Sequence, residues 1–135
     1  MSAIVRVTKA VVEKLLAEAR SQPAMECCGL LSGRDRTISE VLPARNALQS
    51  ATAYEIAPLE LFSLFRRMRA EHLDHLGIYH SHPRGENAPS RRDIEAAYYP
   101  DAVYFIISPR ADAPNPIRAF QIRDAQPTEL AIEIV

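Results

Sequence analysis

The stretch His80-Ser81-His82-Pro83-Arg84-Gly85-Glu86-Asn87-Ala88-Pro89-Ser90-Arg91-Arg92-Asp93 is where the reading of this chain begins. The apolar run before it predicts a central strand over 76–82. Side chains two apart on a strand leave the same face, about 6.6 Å apart along it, so His80 and His82 can converge on one small cation. The residues 83–89 hold two prolines, a glycine and an asparagine, which predicts a loop. Ser90 then predicts the start of a third helix running to about Tyr98, with Asp93 in its first turn. Two histidines and a carboxylate are the ligand types of an open catalytic zinc site, which leaves a fourth position for water. Each residue also has an ordinary structural reading. A histidine on an apolar strand can be a satisfied core residue. Ser90 and Asp93 can be a plain helix cap with an acidic group near the positive helix end.

Working outward, a strand is predicted over 4–7. Thr8 can cap a helix to about Arg20, because Val11, Val12, Leu15, Leu16 and Ala19 share one helical face. Pro23 ends it. Residues 28–32 read as a buried strand with Gly33 as a turn. Residues 37–42 read as a second strand, and 43–52 as a loop. A short extended piece over 54–56 leads into a helix with Pro58 in its first turn and Leu61, Phe62, Phe65 and Met68 on its apolar side. After the third helix come strands over 102–108, 117–122 and 130–135. This order predicts an α/β or α+β fold, a mixed sheet flanked by helices.

The chain has 135 residues, enough for one domain with one core. It is read as a single domain over 1–135. There are 16 Lys and Arg against 17 Asp and Glu, so no basic excess points to nucleic acid. Arg66, Arg67 and Arg69, and separately Arg91 and Arg92, read as solvated helix surface or as a patch for an acidic partner. No signal peptide or membrane span is expected, because charged residues interrupt every apolar run. The two cysteines, Cys27 and Cys28, are adjacent and so do not suggest a disulfide. A reducing cytoplasm is the expected location. The oligomeric state is open, a homodimer included.

A zinc hydrolase needs a general base, and Glu26, in the run ECCGLLSG, is the candidate. Its ordinary reading is an exposed loop carboxylate. The pattern as a whole resembles the JAMM, or MPN-plus, metalloproteases. Their motif is an early Glu, then H-x-H, seven residues, Ser, two residues and Asp. Glu26, His80, His82, Ser90 and Asp93 match it in identity and spacing, as do the Pro83 and Pro89 contexts. The resemblance runs from the first helix through the strand at 102–108. It implies a JAMM/MPN domain with the layered architecture of cytidine deaminases. It implies one catalytic zinc on His80, His82 and Asp93, with Glu26 as general base and Ser90 as an oxyanion donor. The chain lacks room for the insertions that grip ubiquitin in the eukaryotic deubiquitinases, and so looks like the minimal prokaryotic type. For that type the resemblance implies peptidase or isopeptidase action after the C-terminal tail of a ubiquitin-fold sulfur-carrier protein. The tail would lie extended beside a sheet edge.

Other readings remain open at this level. An inactive MPN scaffold is opposed by the complete ligand set. A deaminase would need H-x-E and C-x-x-C, and neither is present. RadC-like proteins share a similar stretch. His72 and His75 could bind metal from one helix face, or simply mark a helix C-terminus. Cys28 reads as a small buried hydrophobe, or as a thiol near the metal. Asn46 and Tyr54 stand where the family often has an Asn and an aromatic near the cleft, with loop or core service as the simpler role.

Overall fold

The computed structural model describes residues 4–135. Its elements are β1 (Ile4–Val7), α1 (Lys9–Ser21), β2 (Cys28–Arg34), β3 (Thr37–Ala44), α2 (Pro58–Ala70), β4 (Asp74–Ser81), α3 (Arg91–Glu95), β5 (Val103–Ile107), β6 (Ile117–Arg123) and β7 (Gln126–Ile134). The mixed sheet runs in the order β1-β3-β2-β4-β5-β6-β7. β4 and β5 are parallel and the β2 pairings are antiparallel. Parallel pairing of β7 with β1, from Ile4 opposite Ala131 to Val7 opposite Ile134, closes the sheet into a barrel. No sequence pattern announced this closure, because it joins the two ends of the chain.

One helix serves each face. Thr8 caps α1, its hydroxyl accepting from the Val11 N–H. Val11, Leu15 and Ala19 then pack on Val5, Val7, Leu31, Ile38, Tyr79, Phe105, Ile107, Ala119 and Leu130, so every strand contributes to this core. α2 starts without a side-chain cap; Pro58 presets its first turn. Its Leu64 and Met68 join Leu30, Leu42, Ile78, Tyr104, Ile106, Phe120 and Ile122 in a second core. Burying such side chains is worth about 1.5–3 kcal/mol each. Strand alternation thus sends Ile78 and His80 to the α2 side and Tyr79 to the α1 side.

Several boundaries move. Gly33 is not the turn. It lies inside β2 at a bulge, where a Cβ would meet the Thr37 carbonyl oxygen at 1.8 Å. The turn is Asp35-Arg36, both with positive φ (52° and 61°), a pairing suited to a two-residue hairpin. β3 continues through Pro43 to Ala44, since β1 pairs only with Thr37 and Ile38 and leaves that edge needing no donor. Residues 54–56 form no strand. Phe62 is 62% exposed, and Leu64 takes the buried position instead. β4 begins at Asp74 and ends at Ser81. His82 lies one residue beyond, although its N–H still bonds to the Ile107 carbonyl at 2.9 Å. α3 stops at Glu95, short of Tyr98, because Pro100 disfavours helical geometry at Tyr99. The Tyr99 N–H bonds to the Tyr104 hydroxyl. β7 starts at Gln126 rather than Leu130.

Candidate metal centre

The structure brings the two histidines and the aspartate to one point. His80 Nε2 and His82 Nε2 are 3.1 Å apart. Asp93 Oδ1 lies 3.2 Å from His80 Nε2, and Oδ2 lies 3.0 Å from His82 Nε2. Donors around a tetrahedral zinc stand about 3.3 Å from one another, given bonds of roughly 2.0–2.1 Å. The observed spacing is close to that, and two imidazole lone pairs facing one carboxylate suit a cation between them. The residues therefore fit a zinc ion.

The local folding reason lies in α3. Ser90 and Asp93 form a reciprocal capping box: Asp93 N–H donates to Ser90 Oγ at 3.1 Å, and Ser90 N–H donates to Asp93 Oδ2 at 2.9 Å. The cap and the ligand readings of these residues are therefore one arrangement. The cap fixes the carboxylate that faces the histidines. Burial alone would raise the Asp93 pKa, but the His80 and His82 rings in contact with it outweigh burial and hold the group well below the usual carboxylate range. Complete burial pushes His80 down, against its bond to Asp93. In His82 burial also pushes down, but the bonds to Asp93 and the Glu86 carbonyl prevail and raise it.

His82 Nδ1 lies 2.8 Å from the Glu86 carbonyl oxygen. A carbonyl can only accept, so Nδ1 carries the proton and Nε2 keeps its lone pair in the neutral ring. Asn87 anchors this loop, donating to the Ile106 and Asn115 carbonyls at 3.2 and 2.7 Å. The Tyr54 ring stacks on His80 with centroids 4.5 Å apart. His80 Nδ1 is buried without a partner among the described residues.

Glu26 is not an exposed loop group. It is 4% exposed, and its Oε1 is buried with no hydrogen-bond partner among the described residues. Burial lifts its pKa to about 7; His82 and Arg92 pull it down and Asp93 pushes it up, so its carboxylate feels the histidine-aspartate cluster. Its backbone is pinned at both ends: the N–H donates to the Ser50 carbonyl at 2.8 Å, and the carbonyl accepts from Asn46 Nδ2 at 3.0 Å. Asn46 also donates to the Ala53 carbonyl and accepts from the Leu48 and Glu55 N–H groups. It therefore ties the Glu26 segment to the loop that carries Tyr54.

Two candidates do not join the site. His72 follows α2 with φ 55°, and His75 sits in β4 against Phe65 and Tyr99, so they share no helix face. Cys28 stands directly opposite His80 on the neighbouring strand but is fully buried, with a pKa pushed up to about 12 by burial. It is not among the ligand atoms that converge. Sequence reasoning passed over the Glu86 carbonyl, which has no sequence signal, and took Asn87 for a mere loop breaker. It also missed a cavity of about 490 Å³ beside the site, bounded by Tyr54, Leu61, Ile78, Arg92, Tyr98 and Tyr104.

The chain matches the model of the prokaryotic homologs of the JAB domain over residues 8–123. It is 34% identical over 128 residues to the CysO-cysteine peptidase of Mycobacterium tuberculosis, covering 93% of this chain and 87% of that protein. It is 36% identical over 104 residues to the desampylase of Haloferax volcanii, covering 72% of this chain and 75% of that protein. A solution structure from Desulfitobacterium hafniense superposes with a TM-score of 0.83 at 34% identity, covering 98% of this chain and 92% of that one.

Proposed function

The chain belongs to the family of prokaryotic homologs of the JAB domain, and from that premise we propose that it is a zinc peptidase that hydrolyses the bond following the C-terminal tail of a ubiquitin-fold sulfur-carrier protein. That it is a metallopeptidase of the JAMM type follows from its kinship with the peptidase and the desampylase. The observation that carries the reading is the convergence of His80, His82 and Asp93, with the buried Glu26 beside them. The scaffold reading has no such need for a buried, unpartnered carboxylate, and membership of this family displaces the deaminase reading.

His80 Nε2, His82 Nε2 and the Asp93 carboxylate would hold the zinc. Bound there, zinc supplies Lewis acidity, polarising the scissile carbonyl and making water a stronger acid near neutral pH. Glu26 takes a proton from the attacking water and returns it to the departing amine as the carbon–nitrogen bond breaks. Burial raises its proton affinity above that of an ordinary carboxylate, which suits a group that must both take and return a proton. The Ser90 hydroxyl accepts the Asp93 N–H, which leaves its own proton free to donate to the developing oxyanion. One such donor is worth about 3 kcal/mol of barrier. Barrel closure restricts where an extended tail can pair. Residues 39–44 of β3 keep one free side among the described residues, and Ala44 is level with Cys28 and His80. That edge suits a tail running toward the site.

The test uses carrier proteins of ubiquitin fold extended beyond their terminal glycine. Mass spectrometry should show a product ending at that glycine, and a chelator should abolish it until zinc is restored. A zinc-loaded protein that cleaves none of a panel of carriers would remove the carrier substrate.

A further inference from the structure

Ser81 stands between the two histidine ligands in sequence, and it is fully buried. Strand alternation turns its side chain to the α1 side, with Tyr79 and away from His80. It exchanges two hydrogen bonds with Cys27, the residue after Glu26. The Ser81 N–H donates to the Cys27 carbonyl at 3.0 Å, and the Cys27 N–H donates to Ser81 Oγ at 2.9 Å. In a regular antiparallel ladder the second bond would run to the residue 81 carbonyl. The hydroxyl takes that place, and the β2–β4 ladder ends there, with Cys28 opposite His80 as its last pair. The chain before Cys27 is thereby released from the sheet, and the Glu26 N–H meets the Ser50 carbonyl at 2.8 Å. Glu26 Oε1 has no partner among the described residues, so backbone bonds hold this group in place. Those to Ser50 and from Asn46 tie it to the loop over 45–53. The Ser81 pair ties the same segment to the strand that carries the histidines. Behind it, Ser81 and Glu18 both hydrogen-bond the Cys27 side chain, and the Tyr79 hydroxyl donates to Glu18 Oε1 at 2.6 Å, so α1 backs the clasp.

We propose that Ser81 is a positioning residue for the hydrolysis: its hydroxyl, by replacing a backbone acceptor, sets where the Glu26 carboxylate stands relative to the cation held by His80 and His82. This rests on the reading of Glu26 as the base. Ser81 touches neither the cation nor the substrate; it acts through Cys27. The coupling is short, because one peptide bond separates Ser81 from each histidine and one separates Cys27 from Glu26. An alanine at this position leaves the Cys27 N–H with the residue 81 carbonyl as the acceptor that the ladder supplies. Extending the ladder by that bond draws Glu26 toward the strand and away from the attacking water. A misplacement of about 1 Å at a reacting group can cost about 100-fold in rate.

The experiment uses the full chain as wild type, Ser81→Ala and Ser81→Thr, with a carrier extended beyond its terminal glycine as substrate. In the metal-free proteins, hydrogen exchange followed by NMR reads the clasp itself. The Cys27 amide should be protected in wild type, exchange roughly tenfold faster or more in Ser81→Ala, and be protected again in Ser81→Thr, which keeps the hydroxyl. Zinc-loaded Ser81→Ala should keep the wild-type zinc affinity and KM but lose roughly 10- to 100-fold in kcat, and Ser81→Thr should recover most of it. In a Glu26→Gln background, under single turnover, the alanine should cost nothing further, because a residue acting through Glu26 has nothing left to position. Wild-type kcat in Ser81→Ala overturns the proposal. So does an equal further loss in the Glu26→Gln background, or a Ser81→Thr protein with a protected Cys27 amide and the kcat of the alanine variant. If wild type itself cleaves nothing, the peptidase reading fails, and crystal structures of the zinc-loaded proteins decide the clasp. Glu26 should then be displaced in Ser81→Ala with both histidines in place, and a Glu26 at its wild-type position overturns the role of Ser81.

Discussion

The Asn46 side-chain amide donates to the backbone carbonyl of Glu26 at 3.0 Å, across the base of the β2–β3 hairpin that separates them by twenty residues in sequence. The same amide reaches the Ala53 carbonyl, and its oxygen accepts two further N–H groups. Asn46 is 5% exposed, so an unmatched group left behind would stay dry. Asn46→Ala should lower stability by about 2–3 kcal/mol and reduce turnover more than it weakens zinc binding. Urea unfolding, kcat and zinc competition measure the three effects. A variant with wild-type kcat would show that Glu26 does not depend on this anchor.

Glu26 gives a pH prediction whose sign is fixed by its burial. Its folded pKa, about 7, is raised from an ordinary 4.5. In the metal-free protein its contribution to stability is therefore full below about 4.5 and lost as pH rises through about 7. His80 and His82 are also shifted, down and up respectively, so the difference between wild type and Glu26→Gln is the quantity to follow. The variant should gain on wild type between pH 5 and 8, by up to about 3 kcal/mol. Loaded with zinc, Glu26→Gln should keep the metal and lose roughly 10²–10⁴-fold in kcat. Full activity in that variant would end its role as base.

Ser90 serves two ends at once, as cap of α3 and as the proposed oxyanion donor. Ser90→Ala should cost about 1 kcal/mol of stability but roughly 10²–10³-fold in kcat, with zinc retained. A kcat loss no larger than the stability change explains would leave Ser90 as a cap only.

Metal removal should be felt by the fold. Chelation leaves two imidazoles and a carboxylate crowded within about 3 Å of one another, and zinc returned at 100 times its Kd should stabilise by about 2.7 kcal/mol. His82→Ala should abolish this zinc-dependent rise in Tm, measured by calorimetry. A rise of wild-type size in His82→Ala would place the metal elsewhere.

The sequence by itself determined whatever rests on short-range periodicity and spacing. Thr8 and the Val11-Leu15-Ala19 face specified α1 because a cap and a helical stripe are local. His80, His82, Ser90 and Asp93 were legible because a strand, a loop and a capping box fix their relative positions within fourteen residues. The α3 boundary was not, since Pro100 and the Tyr104 hydroxyl act on it from beyond the helix. Only the tertiary structure decided that Glu26 is buried rather than solvated. Burial comes from packing against β4 and the Asn46 loop, and desolvation, which sets its pKa, has no local signature. The same holds for the Tyr54 ring on His80, for the β1–β7 closure, and for Arg92, which the sequence showed as one of two adjacent arginines. What separates those two is that Arg91 finds Glu95 one turn on, while Arg92 faces a cavity that only folding creates.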